Sequence, residues 1–287
     1  MRVLATVLLT AACLCSQTPE SRKTLNEGIA AFKNARYTDA VASFEKAVQL
    51  SPADATAHLY LGTALMSQYI PGAQTPENAR FAVRAESEFR RVLDLDARNV
   101  VAMESLASLA YTQSQGEQDT TNKMAALDRA ADWYKRLIDV APDKKEAHYS
   151  LGVIGWSKFY PALMAARQRL GMKPEDPGPL RSASEIAALK SQYDFTIEDA
   201  MEHLKRALEL DPQYDDAMAY MNLLVRERAD LAPSVEEYRS GVEVADEWVQ
   251  KALESKRSKA ESASRLTPAP PPPPPAPRKA EPTPPPQ

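Results

Sequence analysis

One short pattern recurs five times along the chain and constrains its fold more than any other feature. An alanine begins it, a bulky apolar residue follows four positions later, an apolar residue comes three positions after that, and a proline usually ends it. This spacing places the apolar residues on one face of a helix, and a proline disfavours a helical residue before it. Repetition at a nearly fixed period predicts stacked structural repeats. The first alanines lie 45, 45, 70 and 45 residues apart, at Ala40, Ala85, Ala130, Ala200 and Ala245.

The stretches before these helices carry a second signal. Leu61-Gly62 and Leu151-Gly152 occupy matching places ahead of their alanines, and Gly28 and Ala107 are weaker matches. A helix with a Leu-Gly pair, followed by a helix with small, bulky and small residues and then proline, resembles the tetratricopeptide repeat. The resemblance covers roughly residues 24–253 and implies pairs of antiparallel helices stacked into a right-handed solenoid.

The distance between the two signals predicts long second helices. Gly28 lies 12 residues before Ala40, whereas Gly62 lies 23 residues before Ala85. The added residues equal about three helical turns, so they lengthen a helix without rotating its buried face. Thr75-Pro76-Glu77 resembles a helix start with proline at the first position. We therefore expect an all-α domain over 16–254, with about five antiparallel helix pairs in repeats at about 21–53, 54–97, 98–142, 143–212 and 213–254.

Repeat four is longer than the others by an insert at 160–184. Pro161 should kink or restart its first helix, and the segment 171–180 cannot be helical because it holds three prolines and two glycines. A new helix should begin near Ser184. Long excursions from compact repeats are often functional, but a surface loop is also thermodynamically tolerated. The sequence leaves both interpretations open.

The amino-terminal residues 1–15 predict export. A positive start is followed by an apolar run at 3–12, which is too short to span a bilayer. Thr10-Ala11-Ala12-Cys13 resembles a lipoprotein signal, in which Cys13 would carry the lipid and anchor the protein to a membrane, although that family prefers leucine where Thr10 stands. Plain secretion with cleavage near Cys15-Ser16 is the alternative. Either route predicts an exported protein, in the periplasm or anchored to the outer membrane.

The carboxyl-terminal residues 255–287 predict a disordered tail. The segment 268–287 contains 12 prolines and should adopt an extended polyproline conformation. The tail from Ser255 onward carries a net charge of +4, while the whole chain carries −4, so residues 1–254 carry −8. Acidic repeats with a basic tail argue against nucleic-acid binding by the repeats.

The sequence lacks the motifs that carry catalysis. It contains no phosphate-binding glycine loop, no zinc-binding H-E-x-x-H and no G-x-S-x-G elbow, so no enzyme and no cofactor is predicted. His58 and His148 occupy equivalent places in their repeats, and they could meet only across two repeats. We therefore interpret them as part-buried packing residues and predict no metal site.

The remaining candidate site is the inner groove that stacked first helices form in the family that this chain resembles. Mapping the groove positions of the repeat gives an apolar set, which suits a hydrophobic peptide or helix. Lengthened second helices or the insert could cover this groove, and such a stripe is often core instead. The groove residues are Leu25, Ile29, Phe32, Leu59, Met66, Tyr111, Tyr149 and Trp156.

Two classes of function agree with these observations. The first is a non-catalytic, exported scaffold that binds a protein or peptide partner in the cell envelope. The second is a ligand-binding lipoprotein that stacks a glycan or small molecule on Tyr111, Tyr149 and Trp156. An open groove would favour the first class, and a pocket closed by the insert would favour the second.

Overall fold

The computed structural model describes the backbone of residues 18–266 and the side chains of residues 18–262, and this part of the chain is all-helical, without strands. The signal peptide and lipid anchor predicted at 1–15 lie outside these residues, as does the proline-rich segment 267–287. The helices are α1 (Pro19–Lys33), α2 (Tyr37–Leu50), α3 (Ala55–Met66), α4 (Pro76–Leu95), α5 (Val100–Gly116), α6 (Thr120–Val140), α7 (Lys145–Arg169), α8 (Ala183–Leu210), α9 (Asp215–Ala229) and α10 (Val235–Leu266).

The helices pack as five consecutive pairs, and each second helix also contacts the first helix of the next pair. This arrangement confirms the predicted solenoid of helix pairs. The repeating alanines mark the closest approaches, since Ala40, Ala85, Ala130 and Ala245 have no exposed surface and Ala200 is 2% exposed. The glycine of the Leu-Gly pair serves the same purpose, because a Cβ on Gly62 would lie 2.7 Å from the Phe89 ring.

The extra residues lengthen the second helices, as expected. Helix α2 begins three residues before its alanine, α4 begins nine residues before Ala85, and α6 and α10 each begin ten residues before theirs. Helices α4 and α6 are 20 and 21 residues long. The start of α4 matches the sequence prediction, because the Thr75 side chain accepts a hydrogen bond from the Asn78 amide and Pro76 stands at the first position.

Repeat four departs in one respect from the prediction. Helix α7 does not restart at Pro161 but runs through it as one helix of 25 residues. Pro161 lies exposed within this helix. The non-helical stretch begins after Arg169, and α8 starts at Ala183, where the Ser182 side chain caps it by accepting from the Glu185 amide.

The boundary predicted for the tail was wrong. Residues 255–266 continue α10, which is 32 residues long. Tertiary contacts explain why the helix continues past Ser255. This residue is 8% exposed, and its hydroxyl donates to the Gln213 carbonyl at 2.9 Å. Lys259 then pairs with Asp215 at the start of α9, where a carboxylate is favoured by the helix dipole.

Buried apolar side chains form two large clusters along the solenoid. The N-terminal core runs from Leu25 to Ala147 and includes the fully buried Phe44 and Phe89. The C-terminal core runs from Phe159 to Ala245. Within residues 18–266, no helix combines the length and apolar character needed to cross a membrane.

Candidate functional site

Aromatic side chains gather where α7 and α9, the first helices of repeats four and five, lie side by side. Tyr149 packs against Tyr214 and Tyr220, with ring centroids 5.1 and 5.6 Å apart. Trp156 stacks on Tyr160 at 4.9 Å and meets Tyr220 edge-on at 5.6 Å. We call these five residues the aromatic cluster, and all five are half-buried. Such rings combine a large apolar surface with a polar group at the edge.

Helical spacing explains why these rings share one surface. Tyr149, Trp156 and Tyr160 are separated by seven and four residues, so they project from the same face of α7. Tyr220 and Glu227 are also seven residues apart and share a face of α9. Because α7 and α9 are both first helices of adjacent repeats, they contact each other directly and bring these two faces together.

A buried carboxyl holds the indole in place. The Trp156 Nε1–H donates to Glu227 Oε1 at 3.0 Å. The other oxygen of Glu227, Oε2, is buried and has no hydrogen-bond partner among the described residues. Burial raises the pKa of Glu227 to about 7, and the nearby Asp230 adds to the rise, while the hydrogen bond from Trp156 opposes it. The site therefore carries a carboxyl group that changes charge near neutral pH.

Tyr149, Tyr214 and Tyr220 remain neutral phenols at physiological pH, because their pKa values are raised. Burial is the largest cause that raises the pKa of Tyr149 and of Tyr220, and the neighbouring phenol of Tyr111 contributes to both. Burial also raises the pKa of Tyr214 to about 12. Tyr111 on α5 therefore lies close enough to the cluster to influence the pKa values of Tyr149 and Tyr220. Neutral hydroxyl groups can both donate and accept hydrogen bonds, which suits recognition of peptide backbone or polar groups.

The insert of repeat four is tied to the end of α9 that carries Glu227. Arg167 is 3% exposed, forms a buried ion pair with Asp230, and donates to the Lys173 carbonyl. The Leu180 amide donates to the Asp230 carbonyl at 2.9 Å. Met172 and Leu180 are buried in the C-terminal core. The insert therefore packs as part of the fold and stabilises the turn between α9 and α10.

The predicted groove residues divide between core and cluster. Leu25 was assigned wrongly, because it is 5% exposed and belongs to the N-terminal core, where it presents almost no surface to a partner. Its neighbours on α1 and α3 are half-buried and pack against the same core; they are Ile29, Phe32, Leu59 and Met66. Of the predicted residues, Tyr149 and Trp156 are brought together through the Tyr220 ring.

Sequence reasoning missed four members of this surface, namely Tyr160, Tyr214, Tyr220 and Glu227. The spacing of four residues between Trp156 and Tyr160 indicates that both lie on one helix face, so the sequence could have identified Tyr160. The pairing of Trp156 with Glu227 joins residues 71 positions apart, so no local pattern could reveal it.

The described residues contain no group of three or more His, Cys, Asp or Glu side chains that could hold a metal ion. The histidines have other partners. His58 Nε2 donates to the Pro52 carbonyl at 3.0 Å and its Nδ1 faces Glu88. His148 makes the equivalent bond to the Pro142 carbonyl at 3.0 Å and faces His203.

Comparison with known proteins supports the same fold. The family model of the tetratricopeptide repeat matches residues 25–83. A comparison with curated proteins finds no match. Among solved structures, MamA 41-end from Desulfovibrio magneticus RS-1 is 15% identical, with 85% of this chain and 98% of that chain covered and a TM-score of 0.54.

Two further solved structures are similar. The MamA RS-1 ArsTM double mutant is 15% identical over 86% of this chain and 99% of that chain, with a TM-score of 0.55. Another MamA crystal structure is 16% identical over 88% of this chain and 98% of that chain, with a TM-score of 0.52. At these identities the likeness concerns the fold alone. The matched repeat, the helix pairs and these likenesses together show that the described chain has the fold of a tetratricopeptide-repeat protein.

Proposed function

We propose that this protein is a non-catalytic, exported scaffold that binds a protein or peptide partner of the cell envelope through the aromatic cluster. The observation that carries the proposal is the set of five half-buried rings, four on the adjacent first helices α7 and α9 and one, Tyr214, just before α9. Rigid aromatic side chains supply contact area at little entropic loss and often dominate interfaces. The fold supports a scaffold, since repeat proteins of this kind present extended concave surfaces.

The charged residues around the cluster indicate which charge the partner segment should carry. Burial raises the pKa of Tyr214, and the nearby Glu146, Asp215 and Asp216 add to the rise. Lys259 already pairs with Asp215, and Lys145 lies beside Glu146 and 5.1 Å from the Tyr214 ring, so Asp216 is the exposed carboxylate of these three nearest to the cluster that a partner can reach. Glu227 adds a carboxyl beneath Trp156. A partner segment with apolar side chains and at least one Lys or Arg would complement this surface, because a cation is favoured both by carboxylates and by aromatic faces.

A glycan or small molecule is the alternative ligand. The nearly parallel rings of Trp156 and Tyr160, inclined by 18°, resemble a stacking platform and favour it. However, these rings already cover one face of each other, and Tyr149 is engaged by two further rings. The edges that remain suit side-chain packing better than sugar stacking, so the protein or peptide partner is preferred.

Comparative affinity capture from membrane extracts tests the function. Tyr160→Ala and Tyr111→Ala remove half-buried rings, whereas Phe195→Ala on α8 removes a ring that is 78% exposed on a second helix and serves as the matched control. We expect the same protein to be captured by the unaltered chain and by Phe195→Ala, and to be depleted about tenfold by the other two variants. Equal capture by all four would contradict the proposal.

We also propose that Cys13 anchors the scaffold to a membrane. The support is the small-residue run before Cys13, which resembles a lipoprotein signal. Stable anchoring needs more than one acyl chain, and a diacylated cysteine supplies them. Cys13→Ser should release the protein into the soluble fraction, with Cys15→Ser as the control. Unchanged fractionation of Cys13→Ser would support ordinary secretion instead.

A further inference from the structure

The last part of α10 passes close to the aromatic cluster. Lys259 pairs with Asp215, the first residue of α9. Tyr214, a member of the cluster, directly precedes Asp215. Residues 260–266 extend α10 beyond this ion pair by about 10 Å, at 1.5 Å per residue. The proline-rich segment, residues 267–287, therefore begins a short distance from the cluster.

The proline-rich segment is long enough to cover the cluster. From the end of α10 it must turn back about 10 Å to the level of Tyr214 and cross about one helix spacing, roughly 8–10 Å. The rings from Tyr149 to Tyr160 then span about 17 Å along α7. This path of about 30–40 Å is shorter than the reach of the 21 residues of 267–287, which is about 65 Å in a polyproline conformation. On such a path, residues 270–279 lie over the cluster.

The sequence of residues 270–279, P-P-P-P-P-P-A-P-R-K, suits an aromatic surface. Proline-rich segments dock into grooves lined by aromatic side chains, because their extended conformation is preformed. Proline offers a carbonyl acceptor but no backbone N–H. Such a segment therefore needs hydrogen-bond donors from its binding site.

The phenol hydroxyls of the cluster can supply these donors. Within residues 18–262, no group bonds to these hydroxyls, and Glu227 Oε2 is the one buried side-chain oxygen or nitrogen without a partner. The hydroxyls are therefore open to solvent, and each can donate to a proline carbonyl. They belong to Tyr149, Tyr160, Tyr214 and Tyr220.

A cleft of about 700 Å³ between α8 and α10 is less suitable for the same segment. Trp248 is the one aromatic residue among those that line it. Lys251 Nζ lies 4.3 Å from the centroid of the Trp248 ring and covers one of its faces. The cluster, with five rings, offers the larger aromatic surface.

We infer that residues 270–279 bind across the aromatic cluster of their own chain and occupy it until a partner displaces them. The inference rests on the proposed function, since it assigns the resting state of that same site. The charges favour the contact, because the proline-rich segment carries a net charge of +1 and residues 1–254 carry −8. A segment of the same chain also binds at a high effective concentration. A partner must therefore compete with it for these rings.

Photo-cross-linking within the purified full chain tests the contact. A benzophenone-bearing amino acid replaces Ala219, which is exposed on α9 beside Tyr220, so all five rings stay in place. Irradiation should join this position to residues 270–279 in a product of monomer mass, which peptide mass spectrometry identifies. Phe195, exposed on α8, is the matched control position and should give no such product. No adduct with the segment, an adduct only at dimer mass, or equal adducts from both positions would overturn the inference.

Comparative capture from membrane extracts tests whether the segment competes with the partner. Serines in place of Pro270–Pro275 keep the length of the segment but remove the rings that would dock, and serines in place of Pro284–Pro286 are the matched control. The first variant should capture about threefold more partner than the unaltered chain, since more of its sites are open. The control should capture an unchanged amount. Adding Tyr160→Ala to the first variant should abolish the gain.

The two experiments separate this inference from the proposed function. Equal capture by the unaltered chain and both serine variants, with capture lost in Tyr160→Ala, would overturn the inference and leave the proposed function standing. A monomeric adduct from Ala219, with no captured protein that depends on Tyr160, would support the contact and contradict the proposed function.

Discussion

The indole nitrogen of Trp156 donates to Glu227 Oε1 across 3.0 Å, joining the first helices of repeats four and five at the centre of the aromatic cluster. This bond fixes the orientation of the largest ring on the surface. It also leaves Glu227 Oε2 buried without a partner. A buried polar atom without a partner destabilises the folded state. The site therefore combines a well-positioned ring with a carboxyl whose burial is unfavourable, and this pairing can be tested by changing pH.

Glu227→Gln should stabilise the protein at pH 8 and leave it almost unchanged at pH 5. The pKa of Glu227 in the folded state is about 7, above that of an unfolded glutamate. The folded state therefore binds this proton more tightly, so the free energy of unfolding falls as pH rises from about 4.3 to about 7 and stays low above that. Glutamine keeps an acceptor for Trp156 and removes the charge.

The expected gain at pH 8 is on the order of 3–4 kcal/mol, from a shift of about two to three pKa units at about 1.4 kcal/mol per unit. Urea unfolding at both pH values measures it. Glu175→Gln, at an exposed position outside the helices, is the control and should change stability at neither pH. A destabilised Glu227→Gln at pH 8 would mean that the carboxylate is satisfied in the folded protein.

Trp156→Phe should have the opposite pH dependence. Phenylalanine can retain contact with Tyr160 and Tyr220 but cannot donate to Glu227, so the carboxylate loses the hydrogen bond from the indole. We expect a loss of about 1–2 kcal/mol at pH 8 in excess of the loss at pH 5. If Trp156→Phe and Glu227→Gln are combined, this excess should vanish. An excess that persists in the double variant would show that it arises from packing alone.

The sequence was sufficient to predict the helix pairs because their determinants are local and repeated. The buried alanines, the Leu-Gly pairs and the Thr75-Pro76 start each specify one step of the fold within a few residues. The end of α10 was predicted wrongly because it depends on distant partners. Ser255 contacts Gln213, 42 positions away, and Lys259 contacts Asp215. Serine and lysine carry no local signal for such contacts.

Equivalent histidines in repeats two and four have opposite electrostatic surroundings. The carboxylate of Glu88, 2.6 Å from His58 Nδ1, raises the pKa of His58. The position equivalent to Glu88 is His203, whose Nδ1 lies 3.1 Å from His148 Nδ1. Burial lowers the pKa of His203, and the nearby Lys135 and His148 contribute, while Asp199 and Glu202 oppose the change.

Glu88→Gln should therefore destabilise the protein at pH 5.5 and have little effect at pH 8.5. A raised histidine pKa contributes stability that is present below the unfolded value of about 6.5 and is lost as pH rises through the folded value.

His203→Gln should have the opposite pH dependence and make the protein more stable than the unaltered chain at low pH. A lowered pKa makes the unaltered protein lose stability as pH falls below about 6.5, so this variant should gain stability at pH 5. Parallel pH profiles for the two variants would contradict this account.

Gly62→Ala should destabilise the protein although alanine is the better helix former. A Cβ at Gly62 would lie 2.7 Å from Phe89 Cε1. Phe89 is fully buried, so its ring cannot move away into solvent. Overpacking of this kind costs about 1–3 kcal/mol, which exceeds the helix-propensity gain of about 1 kcal/mol. In a Phe89→Leu background the same substitution should be nearly neutral or stabilising. Thermal unfolding of the four proteins checks the pair, and a stabilising effect in the native background would contradict it.

The candidate site was only partly readable from the sequence, for a physical reason. Tyr149 and Trp156 stand out because the repeat pattern maps them to the first-helix surface. The same mapping placed Leu25 there, but an apolar residue at that position packs inward when its repeat offers core volume. Tyr214 lies just before α9, outside the helical pattern altogether. Its contact with Tyr149 depends on how repeats four and five stack.

Site-specific photo-cross-linking tests the central claim most directly, that the aromatic cluster is the partner site. A benzophenone-bearing amino acid would replace Tyr160 or Tyr111, with Phe195 as the control position, and the cells that produce the protein would be irradiated. The account predicts the same discrete protein or peptide adduct from both first-helix positions and no such adduct from Phe195, which is exposed on a second helix. An adduct formed from Phe195 and from neither first-helix position would contradict it.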